Sequence, residues 1–163
     1  MTDERDENGK LLPDEVRLTG FGKFLRSTSI DELPELLNIL KGEMAVIGPR
    51  PQLVKDMVFM TDEQRQRHSV RPGLSGLAQI RGRNAISWEG KLASDLDYIK
   101  EITFSKDASI VISTIYKTFK REGITDGVMA TAMDLGDYLL SQNKIDLETY
   151  NMLLLEANDY CER

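Results

Sequence analysis

Residues 29–42 read Ser29-Ile30-Asp31-Glu32-Leu33-Pro34-Glu35-Leu36-Leu37-Asn38-Ile39-Leu40-Lys41-Gly42. A Ser followed three residues later by Glu is a capping box, the signature of a helix start. Leu33, Leu36, Leu37 and Leu40 then repeat at i, i+3, i+4 and i+7, the spacing of an amphipathic helix. Pro34 falls near the first turn, where a missing N–H costs little, and Gly42 is a natural stop. This frame predicts a helix with Asp31 at its second position and Glu32 at its third. Two carboxylates there have a plain reading, completion of a cap worth about 1 kcal/mol. They also have a chemical one. The positive helix end favours ionised Asp31, as a carboxylate nucleophile requires. Free N–H groups at the same end can receive a phosphate. Glu32 can hold a magnesium ion, and Arg26, five residues upstream, can clamp a phosphate oxygen.

Outward from this stretch the chain reads as short elements. Residues 1–16 form a polar lead-in with a turn signal at Asn8-Gly9. Thr19 to Arg26 predicts a short helix carrying Phe21, Phe24 and Leu25. Met44 to Ile47 predicts a strand, ended by Gly48-Pro49-Arg50-Pro51. Residues 52–68 read as helical, and residues 71–84 as glycine-rich loop with short extended pieces. Ser87 predicts a cap for a helix burying Trp88, Leu92, Leu96 and Ile99. Ser105 predicts another, with Ile110, Val111, Ile115 and Phe119 inside and Gly123 at its end. Residues 126–142 and 146–162 read as paired helices turning at Asn143-Lys144. There Ala132, Met133, Leu139 and Leu140 face Leu147, Tyr150, Leu153, Leu154 and Ala157. The fold class is mainly α with a few short β strands, an irregular α+β arrangement ending in a helical hairpin. The βαβ rhythm of a doubly wound sheet is absent.

Hydrophobic residues make up 40% and charged residues 29% of the 163, which fits a soluble globular chain. One cysteine, Cys161, and one histidine, His68, exclude a disulfide framework, a cysteine zinc site and a histidine cluster. Any metal is left to oxygen ligands, which points to magnesium or to no metal at all. His68 reads as structural rather than as a base, and Met44, Met57, Met60 and Trp88 as packing groups. No run approaches the roughly 20 apolar residues of a membrane span. Residues 1–17 are too charged for a signal peptide, so the expectation is a soluble cytoplasmic chain.

The net charge of −6 is unevenly spread. Residues 50–83 carry seven Lys and Arg against three Asp and Glu, and six of those cations are Arg, the side chain suited to bidentate phosphate contacts. Residues 122–163 carry two against nine. With no long basic face, nucleic-acid binding is not expected. Within the basic stretch, two prolines brace Arg50 in one direction, which lowers the entropy lost on binding an anion. Arg71, Arg81 and Arg83 stand among glycines that allow close main-chain approach to a ligand. The segment is neither a Walker motif nor G-x-G-x-x-G.

Taken in order, Phe24-Leu25-Arg26-Ser27-Thr28-Ser29-Ile30-Asp31-Glu32-Leu33-Pro34-Glu35-Leu36, Leu40-Lys41-Gly42-Glu43-Met44, Ile47-Gly48-Pro49-Arg50-Pro51, Val70-Arg71-Pro72-Gly73-Leu74-Ser75-Gly76, Gln79-Ile80-Arg81-Gly82-Arg83-Asn84 and Ser87-Trp88 resemble the bacterial sugar transferases. These are monotopic phosphoglycosyl transferases, which begin capsule, exopolysaccharide, O-antigen or glycoprotein glycan assembly. The similarity runs from about Arg17 to Gly123. It implies transfer of a sugar-1-phosphate from a UDP-sugar to a polyprenyl phosphate, through a phosphosugar-aspartyl intermediate and with release of UMP. Asp31 matches the nucleophile and Glu32 the magnesium-linked carboxylate. Arg26 matches the phosphate contact, and Arg50 with the 71–84 segment matches the nucleotide-sugar pocket.

Family members also carry an N-terminal hydrophobic segment and a basic strand, and neither is read ahead of these motifs. The expected organisation is an N-terminally truncated catalytic core over 1–122 and an acidic helical hairpin over 123–163. The hairpin lies outside the family core and is a surface for a protein partner. The full-length protein is expected at the cytoplasmic face of the inner membrane. Two alternatives stay open: a catalytically incompetent core acting as a protein-interaction module, and a soluble phosphotransferase or phosphohydrolase using Asp31 without lipid.

Overall fold

The computed structural model describes residues 2–7, 9, 12, 14–28, 30–82, 86–120 and 133–161; the side chains of Asp14, Glu15, Lys23, Arg26, Ser27, Asp31, Phe119 and Cys161 lie outside that description. The expectations placed on Asn8, Ser29, Arg83, Asn84, Gly123 and residues 126–132 fall outside the described residues.

Helices α1 (Asp14–Arg17) and α2 (Gly20–Thr28) lead to a 3-10 turn at Ile30–Glu32. The helix expected to start at Ile30 does not form there. Leu33, Leu36 and Leu37 donate to the carbonyls of Ile30, Leu33 and Pro34, three residues back, at 3.1, 3.0 and 3.1 Å. Helix α3 covers only Glu35–Leu40. Proline is the cause: in a helix begun at Ile30, residue 34 would donate to the Ile30 carbonyl, and Pro34 has no N–H. Asp31 and Glu32 therefore sit in a tight turn, not at the head of an α-helix. The leucine stripe faces outward, with Leu40 at 83% exposure.

Strands β1 (Ala45–Ile47) and β2 (Gly73–Ser75) form a parallel pair, Ala45 opposite Gly73 and Ile47 opposite Ser75. Between them run α4 (Val54–Met57), α5 (Asp62–Arg65) and a second 3-10 turn, Gln66–Ser69. The continuous helix expected over 52–68 is interrupted because Val58, Phe59 and Met60 are all buried. A helix buries one stripe, so three adjacent buried residues require the chain to leave it. Thr61 restarts it with a capping box: its hydroxyl accepts from Gln64 N–H at 3.2 Å, and Gln64 Oε1 accepts from Thr61 N–H at 3.0 Å.

Helix α6 (Leu77–Arg81) follows β2 where a loop was expected. Helix α7 (Trp88–Lys100) is capped by Ser87, as predicted. Helix α8 (Phe104–Phe119) is capped by Thr103, not Ser105, because Thr103 takes the extended backbone that a cap requires. Ile110 is buried as expected, while Ile115 is exposed. Helices α9 (Leu135–Ser141) and α10 (Leu147–Cys161) form the hairpin, turning at Asn143 with φ +53, a value Asn tolerates. Leu147 points outward. Among the described residues the fold is mainly α with two short parallel strands.

Among the described residues, two apolar clusters hold these elements together. Val58, Phe59, Met60, Trp88 and Leu92 pack with Leu135 and Ala157, so α9 and α10 cover the α4 region. Ile47, Tyr98 and Ile110 form the other, beneath the strands. At the hairpin junction the Trp88 indole N–H donates to the Met133 carbonyl at 2.8 Å, and Asp56 Oδ1 accepts from Leu135 N–H at 2.8 Å. Glu89 accepts from the Tyr138 hydroxyl at 2.7 Å and pairs with Lys144.

Lys144, with Tyr138 assisting, holds the Glu89 carboxyl well below its ordinary value, at about 2. A depressed carboxylate stabilises the folded state above its unfolded value and loses that contribution as pH falls toward the folded one. Burial pushes Asp56 upward, so its charge acts in the opposite sense and favours the protonated form. Trp88, the one tryptophan, reports on this junction. Its emission is expected to move toward that of solvent-exposed indole between pH 4.5 and 2, and less so in Glu89→Gln. Equal acid responses in both proteins would remove Glu89 from this role.

Candidate active site

Strand β1 ends at Ile47, and from buried Gly48 the chain turns through Pro49 to exposed Arg50. A Cβ at Gly48 would lie 2.6 Å from the Arg71 carbonyl, so the two strand ends meet only because residue 48 is glycine. Gly48 N–H donates to Ser75 O at 2.9 Å and Gly73 N–H to Pro49 O at 3.0 Å, which fixes the root of the Pro-Arg-Pro turn.

From that turn both terminal nitrogens of Arg50 donate to Glu32 Oε1 at 3.1 Å. Two sequence candidates 18 residues apart thus meet. With side chains 46% and 35% exposed, the pair contributes little stability and can exchange for another ligand at small cost. Asp31 is the residue before Glu32 in the same turn, and α2, which carries Arg26, ends two residues before that turn begins. The Arg26 and Asp31 side chains lie outside the described residues, as does Arg83.

The other arginines are placed elsewhere. The Arg71 guanidinium lies over Gly42, 3.7 Å from where a Cβ there would sit. Arg81 is tied to α7, donating to Asp97 Oδ2 at 2.8 Å and Ser94 Oγ at 3.2 Å. Neither makes an ion pair with Glu32 among the described residues.

A pocket of about 210 Å³ opens beside the turn, lined by Pro49, Arg50, Pro51, Gln52, Arg67 and His68, with Val70 and Pro72 behind. Desolvation and the neighbouring Arg67 and Arg65 charges lower the His68 pKa, so the ring is neutral near pH 7. Gln79 lies next to Gly76, and its amide oxygen and nitrogen are buried with no hydrogen-bond partner among the described residues.

Sequence reasoning missed Arg67 and Asp95. Arg67 Nε donates to Asp95 Oδ2 at 2.9 Å, and Nη2 lies 2.8 Å from the same oxygen in an ion pair. Arg67 Nη2 also donates to the Arg50 carbonyl at 2.6 Å. Burial pushes the Asp95 carboxyl up, and Arg67 opposes that shift. One signal was present: Asp95 stands seven residues after Trp88 and three after Leu92, on the buried stripe of α7, where a lone charge needs a partner. Nothing local identified that partner as Arg67.

The sequence model of a family described as bacterial sugar transferase matches residues 1–121. A Bacillus subtilis protein named an uncharacterized sugar transferase, EpsL, is 51% identical over 132 residues, covering 81% of this chain and 65% of that protein. The UDP-galactose-lipid carrier transferase of Erwinia amylovora is 38% identical over 120 residues, 74% of this chain and 25% of that one. The undecaprenyl-phosphate galactose phosphotransferase of Salmonella typhimurium is 36% identical over 112 residues, 69% and 24%. The chain therefore spans under two thirds of the first of these curated relatives and about a quarter of the other two. The matched stretch takes in every element from α1 to α8, with the Glu32–Arg50 pair among them, and by it the chain belongs to the bacterial sugar transferase family.

Proposed function

We propose that this chain carries the catalytic region of a phosphoglycosyl transferase that moves a sugar-1-phosphate from a UDP-sugar to a polyprenyl phosphate, a first step in cell-surface glycan assembly. The observation that carries the reading is the meeting of Glu32 with Arg50 at the end of β1, one residue from Asp31 and beside the pocket. The names of the Erwinia and Salmonella relatives agree with it.

In the proposed reaction an Asp31 carboxylate oxygen attacks the sugar-side phosphorus. The bond from that phosphorus to the bridging oxygen breaks, and UMP leaves with the oxygen. An oxygen of the polyprenyl phosphate then attacks the same phosphorus, freeing Asp31 and forming the lipid diphosphate sugar. Such transfers depend on positioning and charge neutralisation more than on proton transfer. Arg50 and Arg26 would hold the diphosphate.

Among the described residues no cluster of three or more metal-binding side chains occurs. Glu32 alone fits a magnesium ion that keeps most of its ligands from phosphate oxygens and water, the ordinary habit of that ion. When bound, magnesium would supply charge neutralisation at the diphosphate.

The lipid substrate needs a bilayer face. Phe21, Phe24, Leu33, Leu36, Leu37 and Leu40 are all exposed on α2, the turn and α3, around the proposed nucleophile. An apolar patch of this kind suits the boundary of a membrane. No described helix is long and apolar enough to cross one.

The test uses full-length protein with labelled UDP-sugars and undecaprenyl phosphate in liposomes. UMP and labelled lipid are expected to appear together and to require magnesium. Release of UDP instead would mean direct sugar transfer and would overturn the reading.

A further inference from the structure

We propose that Arg67 and Asp95 are a positioning pair: their buried contact fixes the Arg50 main chain so that its guanidinium faces the diphosphate. The inference rests on Arg50 being a nucleotide-sugar contact.

Both charges are withdrawn from water, with the Arg67 side chain 2% and the Asp95 side chain 4% exposed. Burying an ion pair is a poor way to gain stability. Desolvation offsets most of the attraction, and apolar residues of similar size often serve as well. The pair does something that apolar residues would not. Besides its contact with Asp95, Arg67 Nη2 donates to the carbonyl of Arg50 at 2.6 Å.

That bond acts where the turn is otherwise weakly held. Pro49 and Pro51 fix their own φ angles but bring no N–H, so the turn cannot lock itself through its own donors. Its root is held by the strand bonds at Gly48 and Pro49. Beyond the root, Arg67 is what grips the Arg50 carbonyl. Fixing that peptide plane fixes the direction in which the Arg50 side chain leaves the backbone, toward Glu32. Asp95 anchors the arrangement to α7, whose Trp88 and Leu92 are buried in the apolar cluster. A rigid helix is thereby coupled to an exposed cation through two side chains. Lysine at position 67 could meet Asp95 but could not also span to the carbonyl in the planar fork geometry of arginine.

The test is a coupling measurement on full-length protein, following UMP release at saturating lipid carrier. Asp95→Asn is expected to raise KM for the UDP-sugar about tenfold, with kcat changed less, as for loss of a contact made before the transition state. In an Arg50→Ala background the same substitution is expected to add nothing beyond about twofold, because its effect passes through Arg50. The apolar pair Arg67→Met with Asp95→Leu removes the buried charges together. It is expected to melt near the wild-type temperature and still show the raised KM, which separates positioning from folding and carries the test where Asp95→Asn is unfolded.

An unchanged KM in the folded apolar pair would overturn the proposal. So would equal KM increases from Asp95→Asn with and without Arg50. If Arg50→Ala alone leaves KM unchanged, Arg50 is no substrate contact and the positioning role falls with it. The phosphoglycosyl reading then stands or falls separately on whether UMP is the released nucleotide.

Discussion

Asp31→Asn is expected to lower UMP release by about 10³-fold or more while leaving UDP-sugar binding within about threefold, since the two side chains have the same shape and only one is a nucleophile. The carboxylate offers a charged oxygen to phosphorus, whereas the amide oxygen is neutral and its adduct has no route back to free enzyme. In the proposed reaction binding rests on Arg50, Arg26 and the pocket, and the substitution alters none of them. Glu32→Gln is the informative contrast. It removes the partner of both Arg50 nitrogens and the proposed metal contact but keeps the nucleophile, so activity should fall less and magnesium dependence should weaken. A second readout isolates the covalent step. Wild-type protein mixed with UDP-sugar and no lipid carrier should gain the mass of one sugar phosphate on the peptide holding residue 31, and Asp31→Asn should gain none. A wild-type turnover rate in the Asn variant would remove the aspartyl intermediate from consideration.

Gly73→Ala is expected to be the most damaging single methyl in the described structure, at roughly 3 kcal/mol or more, because overpacking against backbone has no rotamer to escape into. The Cβ would fall within 2.6 Å of Gly48 Cα and Ile47 C, where β2 runs against β1 and the residue that follows it. Gly20, at the start of α2, has nothing within 4 Å of its Cβ position, so Gly20→Ala should be neutral or mildly stabilising. Melting of the two variants side by side would show a drop of about 6–12 °C for Gly73→Ala in a domain of this size and little change for Gly20→Ala. A Gly73→Ala protein that melts with the wild type would mean that β1 and β2 do not pair as described.

Several elements were legible because their signals are local. Ser87 ahead of Trp88 and Leu92 announced α7, and the turn at Asn143-Lys144 announced the hairpin. Met44 to Ile47 held enough apolar character to be read as a strand. Its partner was not legible. A parallel pairing of three-residue strands leaves no alternation to read, and Gly73-Leu74-Ser75 looks like loop until Gly48 lies against it. The helix at Ile30 was misjudged by weighing Ser29 and Glu32 above the N–H that Pro34 lacks. At the site, local reading gave Asp31-Glu32 as a cap and Arg50 as a stiff turn. What joined them was the ordered resemblance, and the structure adds the Glu32–Arg50 contact. The Arg67–Asp95 pair crosses 28 residues with no periodicity linking its members, so only the Asp95 half left a trace.

The covering of Phe59, Met60 and Trp88 by Leu135 and Ala157 has a practical consequence. The family match stops at residue 121, and an experimenter guided by it would trim the gene there. The shortened product would present a wide oily surface where α9 and α10 belong, and would be expected to precipitate on expression or to be degraded by the host. Useful shortened forms should begin their trimming beyond Ala157.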